Sequence, residues 1–156
     1  MMNILVTSAG RRVKIVEYFK NEVVHHKGKV VVTDCDPNAP ALYFADDYEI
    51  VPRIDHKDYI ASLIEVCKKH DIEAVISLID PELEVLANNK EQFEDHKIKL
   101  ILSPKEFVDI SFDKYKTYEY LNNKGIPTVP TYNKLDEVKN LLNLNKLTYP
   151  LVVKPA

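Results

Sequence analysis

Glycine is scarce in this chain: three of 156 residues, Gly10, Gly28 and Gly125. A dinucleotide-binding turn of the Gly-x-Gly-x-x-Gly type needs three glycines within one strand–turn–helix unit. Only Gly10 stands near such a unit, so a nicotinamide or flavin site lacks its turn, although Asp34 ends the second predicted strand where a ribose-binding acid would sit. Cysteine is limited to Cys35 and Cys67, whose spacing fits neither a metal site nor a redox pair. Both read as reduced thiols of a cytoplasmic protein, Cys67 as a core residue in a helical stripe. No apolar run approaches the roughly 20 residues of a membrane span. Met-Met-Asn leads directly into a strand, so no signal peptide is visible. An excess of positive charge is missing too: 21 Lys and Arg stand against 24 Asp and Glu, which argues against a nucleic-acid surface. The five histidines show no metal spacing, and no nucleophile constellation can be built from spacing.

What is present is an ordinary globular composition, 46% hydrophobic and 29% charged, long enough for a real core. The organising stretch is Asn3 to Arg12. Ile4-Leu5-Val6 reads as a buried strand, Thr7-Ser8-Ala9-Gly10 as a tight turn, and a helical pattern follows from Arg11 to about His26. Free N–H groups and the helix dipole make such a turn an anion site, and Arg11 and Arg12 add two fixed charges. Two arginines at the positive end of a helix are a mild electrostatic misfit, which favours a functional role.

Gly28 is expected to end the first helix. Val30 to Thr33 is the second strand, followed by the polar loop Asp34 to Pro40, a helical turn over Ala41 to Ala45, and a third strand from Tyr48 to Val51. Asp55 is expected to cap the next helix, which carries Tyr59, Leu63, Val66 and Cys67 and closes at His70-Asp71. Ala74 to Ile79 is the fourth strand. Asp80-Pro81 opens a helix with Leu83, Leu86 and Phe93 on its apolar side, and Ile98 to Leu102 is the fifth strand. Ser103-Pro104-Lys105-Glu106 forms a capping box for a short helix to about Ile110. Asp113 caps another over Lys114 to Lys124.

Alternation of strand and helix predicts an α/β fold: a Rossmann-like parallel sheet of about five strands in the order 3-2-1-4-5, with helices on both faces. The first and fourth strands then meet at the switch point. Ser8, Gly10, Arg11 and Arg12, with Asp34 and Asp80 at neighbouring strand ends, become candidates for substrate or anion binding. Residues 1–112 form this first domain. From 113 the character changes: a helix, a linker with Pro127 and Pro130, a helix from Leu135 to Leu144, and a predicted strand from Tyr149 to Pro155. Residues 113–156 are expected to be the opening of a second domain that continues beyond Ala156.

Asp113-Lys114-x-x-Thr117, then Gly125-Ile126-Pro127 and Pro130, then Tyr149-Pro150-Leu151-Val152-Val153-Lys154-Pro155 resemble, in that order, the ATP-grasp superfamily. Together with Val6-Thr7-Ser8-Ala9-Gly10-Arg11-Arg12 they look like the carbamoyl-phosphate-synthase large-subunit-like group. The resemblance implies a pre-ATP-grasp domain followed by a truncated ATP-grasp domain. It implies a ligase that activates a carboxylate as an acyl phosphate for attack by an amine or ammonia. Lys114 and Lys154 match the lysines that contact ATP phosphates in that family, a role that suits phosphoryl transfer. ATP and Mg2+ are the cofactors implied for the full-length parent. The glycine-rich loop and the metal-binding acids would lie beyond Ala156, so no metal ligand is assigned in this chain. The stretch alone is expected to be inactive, with no cofactor tightly bound. Its partners would be small molecules, with no nucleic acid and no membrane, and a homo-oligomer is left open. The alternative is a non-catalytic Rossmann-like module that holds a nucleotide or small acid.

Overall fold

The three central strands of the sheet are apolar runs too short to serve as helices, and the outer two are shorter or more polar. In the computed structural model, which describes residues 2–154, these runs become β1 (Ile4–Thr7), β2 (Val30–Asp34), β3 (Asp47–Ile50), β4 (Ala74–Ser77) and β5 (Lys99–Leu100). All neighbouring pairs are parallel, and the order is β3-β2-β1-β4-β5, the expected one. Parallel strands need crossovers, and the crossover helices cover both faces. α1 (Val13–Val23) contributes Val16 and Val23 to one core with Ile4, Val6, Val30 and Val32. On the other face α2 (Tyr59–Lys69), α3 (Asp80–Asn88) and α4 (Lys90–Asp95) bring Tyr59, Leu63, Leu86 and Phe93 against Leu5, Val31 and Val75. Alternation along β1 and β2 feeds both cores, and each buried Val or Leu contributes roughly 1.5–3 kcal/mol.

The chain divides into two units, one up to Lys105 and one from Glu106 onward. The second holds all but the first residue of α5 (Lys105–Phe112), followed by α6 (Lys114–Asn123) and α7 (Leu135–Asn143). The Asp113 carboxylate accepts from the N–H groups of Tyr115 and Lys116 at 2.8 and 3.1 Å and so caps α6, as its sequence position predicts. The Thr117 hydroxyl donates to the carbonyls of Ile110 and Asp113, tying α6 back to α5. Phe107 and Tyr120 meet edge-on at 5.9 Å.

Several expectations are corrected. Gly28 does not end the first helix by its backbone freedom: a 3-10 turn over Val24–His26 intervenes, and Lys27, at φ 54°, takes the left-handed position. Gly28 is required for space, since a Cβ there would lie 2.0 Å from the Met2 carbonyl oxygen. Asp55 caps nothing; it pairs with Arg53, and α2 begins after Asp58, whose side chain makes no cap bond. β4 stops at Ser77 rather than Ile79, and β5 spans two residues rather than five. The single helix expected after Asp80-Pro81 is split at Asn89, whose side chain turns back to the Val85 carbonyl at 2.8 Å. The helix after the capping box runs on to Phe112. No strand forms from Tyr149 to Lys154, because no described strand of that unit lies beside it to take up its N–H and C=O groups. Pro155 lies outside the described residues.

Candidate functional site at the switch point

Because β1, β2 and β4 are adjacent and parallel, their C-terminal ends share one rim. This brings together the turn after Thr7, the loop after Thr33 and the start of α3. The turn is held by its own neighbours. The Gly10 N–H donates to Asp34 Oδ2 at 2.8 Å, and Asp34 Oδ1 accepts from the Asp36 N–H at 2.9 Å. The Gly10 carbonyl accepts from the Ala41 N–H at 3.0 Å. Asp34 thus braces the turn with one oxygen and its own loop with the other. A Cβ on Gly10 would stand 3.7 Å from Arg12 Nη1 and 4.0 Å from Asp34 Oδ2, so the arginine folds back over the glycine on the carboxylate's side.

The turn is also backbone-strained. Ser8 has φ 47° and Gly10 φ 52°. Among the described residues four other non-glycines have positive φ: Lys27, Asp71, Lys97 and Asn145. Each of them ends a helix, where a left-handed residue is the ordinary terminator. Ser8 alone follows a strand. A left-handed serine costs roughly 1–2 kcal/mol and persists only where its surroundings over-determine it.

Those surroundings are a buried polar layer that sequence reading did not single out. On the α2 and α3 face, Leu5, Val31 and Val75 form the last fully apolar row. Two residues on, the same face carries Thr7, Thr33 and Ser77, one hydroxyl from each strand. Thr7 Oγ1 donates to the Ile76 carbonyl at 3.3 Å, while the wholly buried Thr33 hydroxyl has no partner among the described residues. Above this row lies Glu82, fully buried at the start of α3. Its Oε2 accepts from Ser77 Oγ at 2.6 Å, and its Oε1 accepts from the Tyr59 hydroxyl. Burial pushes the Tyr59 phenol far above its ordinary value, and the Glu82 carboxyl adds to the rise. The Ser8 side chain acts on the same phenol in the opposite sense, favouring its ionised form. The sequence signal was the repeat Leu-Val-Thr, Val-Val-Thr, Val-Ile-Ser at three strand ends, with Pro-Glu opening the next helix.

The other candidates lie as follows. Arg11 and Arg12 are exposed at the start of α1, and Asp80 is exposed as the first residue of α3, where an acid suits the helix dipole. Lys114 opens α6 and Lys154 follows the extended tail; both are exposed residues of the second unit. A shallow groove of about 490 Å3 along α1, lined by Lys14, Glu17, Tyr18, Lys20, Asn21 and Phe44, shares no residue with the rim. No three His, Cys, Asp or Glu side chains among the described residues are grouped as a metal ion requires. No helix among them is long and apolar enough to cross a membrane.

Comparison with known proteins bears on the whole chain. Residues 4–101 match the family described as PylC-like, N-terminal domain. The chain is 33% identical over 130 residues to a carbamoyl-phosphate synthase of Methanobrevibacter smithii, covering 80% of the chain and 33% of that protein. It is 25% identical over 159 aligned positions to a phosphoribosylamine–glycine ligase of Methanocella arvoryzae, covering 100% of the chain and 34% of that protein. Among solved structures, N5-carboxyaminoimidazole ribonucleotide synthetase from Thermotoga maritima is similar with a TM-score of 0.64 and 20% identity, over 96% of this chain and 37% of that one. That identity speaks to fold alone. The chain spans about a third of the length of the curated relatives it matches.

Proposed function

The chain belongs to the PylC-like N-terminal domain family, and we propose that it is the N-terminal part of an ATP-dependent ligase. In this reading ATP phosphorylates a small carboxylate, and an amine or ammonia displaces phosphate from the acyl phosphate. The observation that carries the reading is the reach of the likeness to carbamoyl-phosphate synthase: 130 aligned residues exceed the 4–101 stretch of the family. It therefore extends into the segment that holds Lys114.

Residues 1–112 form the pre-ATP-grasp domain, and 113–156 open the ATP-grasp domain. The rim holds the small acid: the turn from Ser8 to Arg12 supplies N–H groups and two guanidinium groups, with Asp34 bracing it and Asp80 at the facing loop. Lys114 and Lys154 face ATP phosphates, where cations offset the charge that develops during phosphoryl transfer. Magnesium accompanies ATP in the full-length cytoplasmic enzyme, held by acids outside this chain. The 156 residues alone carry two phosphate-facing lysines and no glycine-rich cover, so this stretch by itself neither hydrolyses nor tightly binds ATP.

The test uses the whole protein with Mg-ATP, ammonium and 18O-labelled carboxylates. An acyl phosphate transfers one 18O from the carboxylate to released phosphate. Phosphate released without label overturns the reaction assignment. In the same protein Lys154→Ala is expected to weaken ATP turnover more than Lys105→Ala, a control in the capping-box helix. Equal activities would remove Lys154 from the site. Calorimetry that finds micromolar Mg-ATP binding to the 156 residues alone would contradict their proposed inactivity.

A further inference from the structure

α3 lacks a side-chain cap of the ordinary kind. Its N-cap residue is Ile79, whose side chain has no oxygen to offer the first-turn N–H groups. Glu82 is the third residue of the helix, the position from which a glutamate in a capping box reaches back to the N-cap N–H. Here it reaches that N–H through an intermediary. The Ile79 N–H donates to Ser77 Oγ at 3.2 Å, and the Ser77 hydroxyl donates to Glu82 Oε2 at 2.6 Å. The Glu82 N–H closes the turn on the Ile79 carbonyl at 3.2 Å. Tyr59 of α2 donates to the other carboxyl oxygen and fixes how the side chain is turned. A group that caps a helix from the solvent side need not be buried, yet Glu82 is wholly shielded from water. The cap is made from beneath the rim, and the burial follows from that.

We propose that Glu82 is a positioning residue: through Ser77 it caps α3 and sets the loop from Leu78 to Asp80 at the rim. The proposal rests on the reading of the rim as the small-acid site, and it assigns Glu82 no contact with substrate. A hydroxyl has one proton to give. Ser77 Oγ also lies 3.2 Å from the Ile79 carbonyl oxygen, so two acceptors compete for that proton. The carboxyl at 2.6 Å takes it, which leaves the hydroxyl's lone pairs to the Ile79 N–H. Donation to the carboxyl also makes the hydroxyl a better acceptor, since hydrogen bonds in a chain polarise one another. With an apolar residue at position 82 the proton turns to the Ile79 carbonyl, and the N–H of the same residue loses its acceptor. The loop then enters α3 uncapped, and Asp80 at its end loses a fixed place on the rim.

The test follows hydrogen exchange at the Ile79 amide in the isotopically labelled 156-residue chain, with no ligand present. Ser77→Ala removes the acceptor and is expected to speed that exchange roughly five- to tenfold, the scale of one hydrogen bond. Ser77→Thr keeps a hydroxyl and is expected to retain the protection. Glu82→Leu and Glu82→Met are each expected to speed exchange at Ile79, while the amides of Val6 and Val32, in the core on the opposite face, stay protected and show that the fold is kept. Adding Glu82→Leu to Ser77→Ala is expected to change nothing further at Ile79, because the carboxyl acts there only through the hydroxyl. A general loosening of the unit would make the two effects add. Unchanged protection of Ile79 in the Glu82 variants, or additive effects in the double variant, overturns the proposal. A second arm titrates acetate and follows the amides of Arg11, Arg12 and Asp80. Acetate is expected to shift all three in the unsubstituted chain and to bind Ser77→Ala several-fold more weakly. Equal binding to the two overturns the claim that this cap sets the loop at the rim. If acetate shifts none of the three amides, the small-acid reading falls instead, and the exchange arm still decides the role of Glu82.

Discussion

At the scale of single residues, the rim shows how far side-chain chemistry is visible in sequence. The position of Ser8, Gly10 and Asp34 at strand ends was legible because small or acidic residues closing a buried run mark a turn at the C-terminal end of the sheet. Tyr59 and Glu82 were not. Tyr59 falls in an apolar stripe at helical spacing, and Glu82 follows a proline at a helix start, where an acid is ordinary. Only the fold places the two side by side. Their pairing has a pH consequence. The Tyr59 phenol titrates near 10 when unfolded and above that when folded, because burial and then Glu82 disfavour the phenolate. A group whose folded value is raised contributes stability below its unfolded value and loses it as pH rises. Chain stability is therefore expected to fall above about pH 10, and Tyr59→Phe to show a shallower fall, read by urea denaturation across that range. Space, rather than charge, decides Gly28. With the Met2 carbonyl 2.0 Å from any Cβ, Gly28→Ala is expected to cost about 1–3 kcal/mol by the same measurement.

At the scale of elements, the sheet was readable and its trimming was not. Strand order follows from alternation and the handedness of crossovers, both properties of the pattern. Strand length depends on what lies alongside, so β5 kept two residues, and the apolar stretch ending in Lys154 found no neighbour and stayed extended. The outer strand β3 is secured by charges invisible to periodicity. Its Glu49 accepts from Lys69 Nζ at 2.5 Å and lies 2.9 Å from His70 Nε2, which pins the strand to the end of α2. Lys69 first, and then His70, hold the Glu49 carboxyl below its usual 4.5. A depressed carboxyl stabilises above its unfolded value and stops doing so as pH falls through the folded one. Amide exchange at Tyr48 and Ile50 should therefore accelerate, relative to β1, as pH is lowered below 4.5, after correction for intrinsic rates. In Glu49→Gln that acid-dependent acceleration should vanish.

At the scale of the whole molecule, the two units differ in how much of themselves they bury. The sheet unit holds both apolar clusters. In the second unit Val108 is its buried apolar residue among those described, while Val152 and Val153 are 80% and 95% exposed. Unfolding of the 156 residues is accordingly expected to proceed in two steps, with the second unit opening first. Exchange-protected amides at high denaturant should map to β1, β2 and β4. The strained turn adds a trade-off that only a population of variants would reveal. Glycine at position 8 would relieve the left-handed backbone, by about 1 kcal/mol, and would open the turn to backbone states that serine disfavours. A library of this chain sorted by heat survival alone should therefore enrich Ser8→Gly. The winners would carry a slack rim, and a sort on ligand capture should send the same substitution to extinction.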